Sequence, residues 1–188
     1  MPHSQVRGRE WQPVRVGGVY FGLPMFEFMA LLQVGHRSTE HDIAYAKPSM
    51  MALANLLSHP NLSKGVTMSS EIEGQTIHRS AKDLGRVLAI AWLTSPTELD
   101  EWSKEWAEAL HTVFPDRWHE LAMQAGEGLR ALLRDKEIFV EAHYTCSIGL
   151  LAGKNVSPTA LAATARQLLQ LVVEPLEKLA SAPAASWT

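Results

Sequence analysis

The sequence predicts a mainly α-helical protein, a single-domain bundle of about six or seven helices with room for a short N-terminal β-hairpin. Apolar residues recur every three or four positions through most of the chain, which is the spacing of one helix face. Ser95-Pro96-Thr97-Glu98 is a capping box with proline in the first turn, so a helix begins there. The chain has 188 residues, 46% of them hydrophobic, which is enough for one sizeable core.

The stretch from Ile77 to Leu93 is the expected central helix. Its apolar stripe has members spaced by four, three, four and three residues: Ile77, Ala81, Leu84, Leu88 and Ala91. Trp92 and Leu93 widen the stripe, so we expect the C-terminal half of this helix to be buried nearly all round. The opposite face of the N-terminal half is charged.

The chain organisation is simple. Residues 1–12 are polar and predict a flexible arm, residues 13–180 form the helical domain, and residues 181–188 form a frayed tail. Residues 61–75 are weakly patterned and contain glycine and serine, which predicts one long loop inside the domain.

Two elements are expected at the start of the domain. Pro13 to Gly22 predicts a hairpin, because β-branched and aromatic residues flank the Gly17–Gly18 pair. Leu23 to Val34 is almost uncharged and predicts a covered helix that starts at Pro24 and stops at Gly35.

Five further helices are predicted, most of them from a start signal together with an apolar stripe. They run over Pro48 to Ser58, Pro96 to Val113, Trp118 to Arg134, Asp135 to Cys146, and Pro158 to Lys178. Trp102 and Trp106 should lie in the core. Gly126 and Gly128 weaken their helix by up to about 1 kcal/mol each and would allow a neighbour to approach closely. Pro175 should kink the last helix.

Composition excludes several classes of protein. The net charge of −3 gives no global attraction to nucleic acid or acidic membranes. The single Cys146 excludes an internal disulfide and fits a reducing cytosol. We find no signal peptide and no run of about 18 apolar residues, so we expect a cytoplasmic protein of bacterial type. GxxxxGK[ST] and GxSxG are absent, and no cofactor is expected.

The loop Gly35 to Asp42 holds the richest set of possible metal ligands, namely His36, Glu40, His41 and Asp42. Imidazole and carboxylate groups suit zinc or a redox metal. Their HxxxEH spacing differs from the HxxEH and HExxH patterns that place two ligands on one helical face. We therefore favour the alternative, a solvated polar loop.

The charged half of the central helix carries a second candidate site. Arg79, Lys82 and Arg86 recur every three or four residues, so their side chains converge, and phosphate is a natural partner for such a cluster. We favour the alternative, a solvated helix face on which these residues form ion pairs with Asp83 and nearby Glu residues, so nucleic acid is a possible but not a favoured partner.

The order HDIAYAKPSMMALANLL, a gap, then IHRSAKDLGRVLAIAWL resembles the helical latter half of abortive-infection-type nucleotidyltransferase-like proteins. The similarity covers Asp42 to Leu93 and rests on Pro48, Lys82, Asp83 and Leu84. The catalytic signature of that family, a Gly-Ser turn followed by spaced aspartates, has no counterpart here. The resemblance implies a protein that has lost the metal-binding transfer site.

Three functions therefore stay open. We favour a non-catalytic helical interaction or regulatory protein that binds a protein partner or a second copy of itself, without a membrane. The first alternative is a degenerate nucleotidyltransferase-like toxin or defence component that uses Arg79, Lys82 and Arg86 on a nucleotide or RNA. The second is a metal-dependent enzyme centred on His36 to Asp42.

Overall fold

The computed structural model describes residues 11–16, 18–24, 27–62, 65–68, 71, 74 and 76–182. The predicted mainly helical architecture is confirmed. Among the described residues, no helix combines the length and the apolar character that a membrane span requires. Most of the predicted frayed tail, residues 183–188, and most of the predicted arm, residues 1–10, lie outside the described part of the chain.

The predicted hairpin is present and longer than expected. Strands β1 (Trp11–Val16) and β2 (Val19–Pro24) pair antiparallel, with Val16 opposite Val19 at the turn. Gly18 occupies the turn with φ +84°, a conformation that glycine adopts without steric cost. The sequence predicts that Trp11 and Gln12 belong to the flexible arm, but they extend β1, where Trp11 pairs with Pro24 and Gln12 with Leu23.

The prediction of a helix over Leu23 to Val34 is wrong. Leu23 and Pro24 belong to β2, and the described part of the segment contains a 3₁₀-helix, at Met29–Gln33, in place of the α-helix. Hairpin pairing takes up the first two residues of the segment, and Gly35 at φ +56° follows its last residue. That turn still buries Leu31. Two short strands that the sequence did not indicate follow, β3 (Arg37–Ser38) and β4 (Ala44–Tyr45), paired antiparallel.

The helices account for the rest of the fold. They are α1 (Pro48–Ser58), α2 (Arg79–Leu93), α3 (Pro96–Val113), α4 (Trp118–Gln124), α5 (Glu127–Arg134), α6 (Lys136–Ile148), α7 (Pro158–Leu168) and α8 (Glu174–Ser181), with a π-helical turn at Leu169–Val173 joining the last two. In the described part of residues 61–75 there is neither helix nor strand, only an isolated bridge from Thr67 to His78.

Helix α2 is central, as predicted, and packs against α6, α1 and α7. All five residues of its predicted stripe are buried. The expectation that its last turn is buried all round is wrong, because Trp92 and Leu93 are exposed. Both residues lie at the C-terminal end of the helix, beyond its last buried residue, Ala91.

Helix α3 has the predicted capping box. The Ser95 hydroxyl accepts a hydrogen bond from the Glu98 backbone N–H at 3.3 Å, and the Glu98 carboxylate accepts one from the Ser95 N–H at 3.4 Å. Trp102 and Trp106 are buried, as predicted. The Trp106 indole N–H donates to the Ser49 carbonyl at 3.0 Å, which fixes α3 against the start of α1.

The helix predicted over Trp118 to Arg134 is two helices, α4 and α5, that separate at Ala125 and Gly126. The weak helix propensity of glycine allows the break. The close approach predicted for Gly128 is confirmed, since a Cβ added there would overlap the backbone carbonyl of His59. This contact places the end of α1 directly against α5.

Candidate functional site

A cavity of about 450 Å³ lies beside the junction of α1 and the N-terminal half of α2, within the usual size range of small-molecule sites. Phe28 and Leu32, from the segment of the 3₁₀-helix, and Met51 from α1 form its apolar side. The polar side comes from α2 and from His59, the residue that directly follows α1.

A histidine–aspartate pair joins the two helices at this cavity. The His59 Nε2–H donates to the Asp83 carboxylate at 2.9 Å, and the two side chains are only 13% and 11% exposed. The backbone carbonyl of His59 lies against Gly128 of α5. Sequence reasoning missed His59, because a lone histidine before Pro60 carries no signal for a partner 24 residues away.

The structure brings the basic cluster, Arg79, Lys82 and Arg86, to the same cavity. All three side chains approach Asp83: Lys82 Nζ at 3.1 Å, Arg86 Nη1 at 3.7 Å and Arg79 Nε at 3.8 Å. The ion-pair network with Asp83 that the sequence allowed is therefore present. One carboxylate nevertheless faces three cations in the described lining, which leaves an excess of positive charge.

The groups around Asp83 lower the pKa of its carboxyl. Burial alone would raise the pKa of this carboxyl, but hydrogen bonds from His59 and Lys82 and their positive charges outweigh it and hold the pKa below its ordinary value of 3.8. Asp83 is therefore ionised near neutral pH. Arg86 stays beyond hydrogen-bond length from it and is substantially exposed, so its guanidinium can reach a ligand.

Ser80 adds a neutral polar group to the lining. Its side chain is 2% exposed, and its hydroxyl has no hydrogen-bond partner among the described residues. A buried hydroxyl without a partner costs about 1–3 kcal/mol, so such groups are uncommon in folded proteins. Ser80 lines the cavity, but its hydroxyl oxygen is inaccessible in the free protein, so a ligand would meet this donor only after a change of the Ser80 rotamer.

The possible metal ligands His36, Glu40, His41 and Asp42 do not converge. His41 Nε2 lies 3.5 Å from the Glu40 carboxylate, His36 Nδ1 donates to the Gln33 carbonyl at 3.1 Å, and all four side chains are exposed. In the part of the chain that the structure describes, no group of three or more His, Cys, Asp or Glu residues could hold a metal ion.

Other histidines make contacts that fix helices. The His78 ring donates to the Glu141 carboxylate at 2.9 Å and thereby ties the start of α2 to α6. His119 and His143 donate to the carbonyls of Ala180 and Val156. These contacts support the fold and lie outside the lining of the cavity.

Comparisons with protein-family models, with curated proteins and with solved structures gave no match to this chain. The resemblance to nucleotidyltransferase-like proteins thus stays a prediction from Pro48, Lys82, Asp83 and Leu84. Of these, Lys82 and Asp83 line the cavity.

Proposed function

We propose that this chain is a non-catalytic regulatory protein that binds a small phosphate-bearing ligand in the cavity between α1 and α2. The observation that carries the proposal is the combination of excess positive charge with the unpartnered hydroxyl of Ser80 at one cavity wall. Lys82 and Arg86 suit a phosphate, because ammonium and guanidinium groups make charge-assisted hydrogen bonds to its oxygens. Ser80 would donate a further hydrogen bond.

The cavity favours a small ligand over a nucleic acid. It is a pocket of limited volume rather than an extended groove, and the protein as a whole carries a charge of −3, which opposes a polyanion. Phe28 is the only phenylalanine, tyrosine or tryptophan in the described lining, whereas single-stranded nucleic acids bind along series of such side chains.

The residues that line the cavity favour binding of a ligand without catalysis. A serine nucleophile needs a base within hydrogen-bond reach, and the Ser80 hydroxyl has no such partner among the described residues. The His59 Nε2–H is directed at Asp83. The described lining therefore assembles no nucleophile–base pair.

The first test is calorimetric titration with inorganic pyrophosphate and with ADP. We expect saturable binding that weakens with added salt, since salt screens the charges of the site. Arg86→Glu should reduce affinity at least about tenfold, because one hydrogen bond to a charged group contributes about 1.5–3 kcal/mol. Arg166→Glu, the same charge change on an exposed position of α7 outside the lining, should leave binding intact.

Two results would contradict the proposal. One is the absence of saturable binding of either probe by the wild-type protein. The other is an equal loss of affinity in Arg86→Glu and Arg166→Glu, which would reveal only a general charge effect. Tight binding of a short RNA with no affinity for the small probes would instead favour recognition of nucleic acid.

Ser80→Ala separates a binding role from a structural one. Removal of an unpartnered buried hydroxyl should raise the melting temperature of the free protein, since the desolvated group disappears and alanine favours helix. The same change should weaken the binding of pyrophosphate, because the ligand loses a donor. A lower melting temperature would mean that the hydroxyl has a partner in the free protein.

A further inference from the structure

A second cavity adjoins the first one and differs from it in chemistry. It measures about 620 Å³ and lies between α2, the start of α1 and the C-terminal end of α6. Much of its described lining is apolar and includes Pro48, Ile90, Ile148 and Leu150. Ile148 and Leu150 are 40% and 53% exposed, so apolar surface at this end of α6 faces solvent.

The two cavities meet at the basic cluster. Met51, Lys82 and Arg86 line both of them. The two cations therefore stand between a polar compartment that contains Asp83 and Ser80 and a compartment that is mainly apolar. A ligand whose charged group is held by Lys82 and Arg86 has a direct route for an apolar extension into the second cavity.

The polar groups of the second cavity favour a hydrocarbon chain over a nucleobase. The Thr145 hydroxyl already donates to the Ala142 carbonyl at 2.9 Å, and the Cys146 thiol donates to the Gly85 carbonyl at 2.9 Å. Beyond Lys82 and Arg86, the described lining thus has no side-chain donor left over for the edge of a base, and it contains no aromatic ring for stacking. The second cavity therefore offers a ligand mainly apolar contacts.

We propose that the ligand is a small amphiphile, a phosphate monoester that carries an unbranched alkyl or acyl chain. The phosphate binds at Lys82 and Arg86, and the chain lies along Met51, Ile90 and Leu150. This inference rests on the proposed function, since it extends the same anion site. The positive charges of Lys82 and Arg86 select an anionic head group, and the exposed apolar lining at the end of α6 contacts the chain.

The test is a titration with butyl, hexyl and octyl phosphate, each below the concentration at which it forms micelles. Affinity should rise about fourfold per added methylene while the chain enters the cavity, following the transfer of about 0.8 kcal/mol per buried CH₂. Octyltrimethylammonium, with the same chain and the opposite charge, should not bind. Pyrophosphate serves as the head group without a chain.

Leu150→Gln tests the placement of the chain without disturbing the core, because this side chain is more than half exposed. It should flatten the dependence of affinity on chain length and leave the binding of pyrophosphate unchanged. Val140→Gln is the matched control, since Val140 is an apolar residue of α6 that is 64% exposed and lies outside the lining. It should change neither quantity.

The outcomes separate the two proposals. If pyrophosphate binds and alkyl phosphates of all lengths bind equally, the amphiphile inference fails and the anion site stands. If neither pyrophosphate nor any alkyl phosphate binds, the proposed function itself fails. Binding to phosphatidic acid vesicles without binding to monomeric octyl phosphate would also overturn the inference, since it would indicate a membrane surface.

Discussion

Replacement of Gly128 by alanine should destabilise the protein, although alanine is the better helix former. A Cβ at this position would overlap the carbonyl oxygen of His59 and lie 3.0 Å from its carbonyl carbon. Because the obstacle is backbone, α5 and the end of α1 must move apart. Overpacking of this kind costs about 1–3 kcal/mol. The gain in helix propensity is at most about 1 kcal/mol, so the overlap should prevail.

The assay is thermal and denaturant unfolding of Gly128→Ala beside Glu127→Ala. After the gain in propensity the net cost is about 1–2 kcal/mol, and a domain of this size loses about 2–4 °C of melting temperature per kcal/mol, so we expect a decrease of roughly 2–8 °C. Glu127 is exposed on the same turn of α5, and its replacement should change stability by less than about 0.5 kcal/mol. An unchanged or higher melting temperature for Gly128→Ala would refute the close contact between α5 and His59.

Three further predictions concern stability and reactivity. Burial would raise the pKa of Glu105 on α3, but hydrogen bonds from Lys47 Nζ at 2.8 Å and Ser49 Oγ at 2.6 Å hold it below its ordinary 4.5, as the pKa of Asp83 is held below 3.8. The stabilisation from these two carboxylates is therefore complete above about pH 4.5 and is lost as the pH falls further; melting temperatures from pH 6 to pH 3 should show this, with a smaller decline in Asp83→Asn. Trp106→Ala should cost about 3–5 kcal/mol in urea unfolding, because the side chain is fully buried; a loss below about 1 kcal/mol would contradict the core assignment. Burial raises the pKa of the Cys146 thiol to about 12, so it should react with a thiol reagent at pH 8 only after unfolding, and rapid labelling of the folded protein would count against its burial.

The sequence predicted the helical architecture well wherever start signals and apolar stripes agreed. The starts of α1, α3 and α7 follow from Pro48, the capping box at Ser95, and Ser157-Pro158. The prediction failed where the pairing of two strands overrode the local sequence pattern. Leu23 and Pro24 carry a helix start signal, but they pair with β1 because the hairpin extends past its predicted end.

The candidate site was predictable only in part. Arg79, Lys82 and Arg86 share one helix, so their convergence follows from helical periodicity alone. His59 and Ser80 were not foreseen. The role of His59 depends on how α1 packs against α2, and the missing partner of Ser80 depends on every neighbour around it. Such properties belong to tertiary structure and leave no spacing pattern in the chain.

The π-helical turn at Leu169–Val173 keeps the buried residues of the last helix on the side that faces the core. One line of buried residues runs along this helix at steps of four, three, four, four and four: Leu161, Ala165, Leu168, Val172, Leu176 and Ala180. In a regular helix, each step of four moves the stripe by about 40°, so three such steps in succession would turn Ala180 away from the core. The wide turn absorbs this drift. A chain one residue shorter between α7 and α8 would therefore rotate α8 by about 100°, exposing Leu176 and separating Glu177 from Arg130, its partner at 2.7 Å.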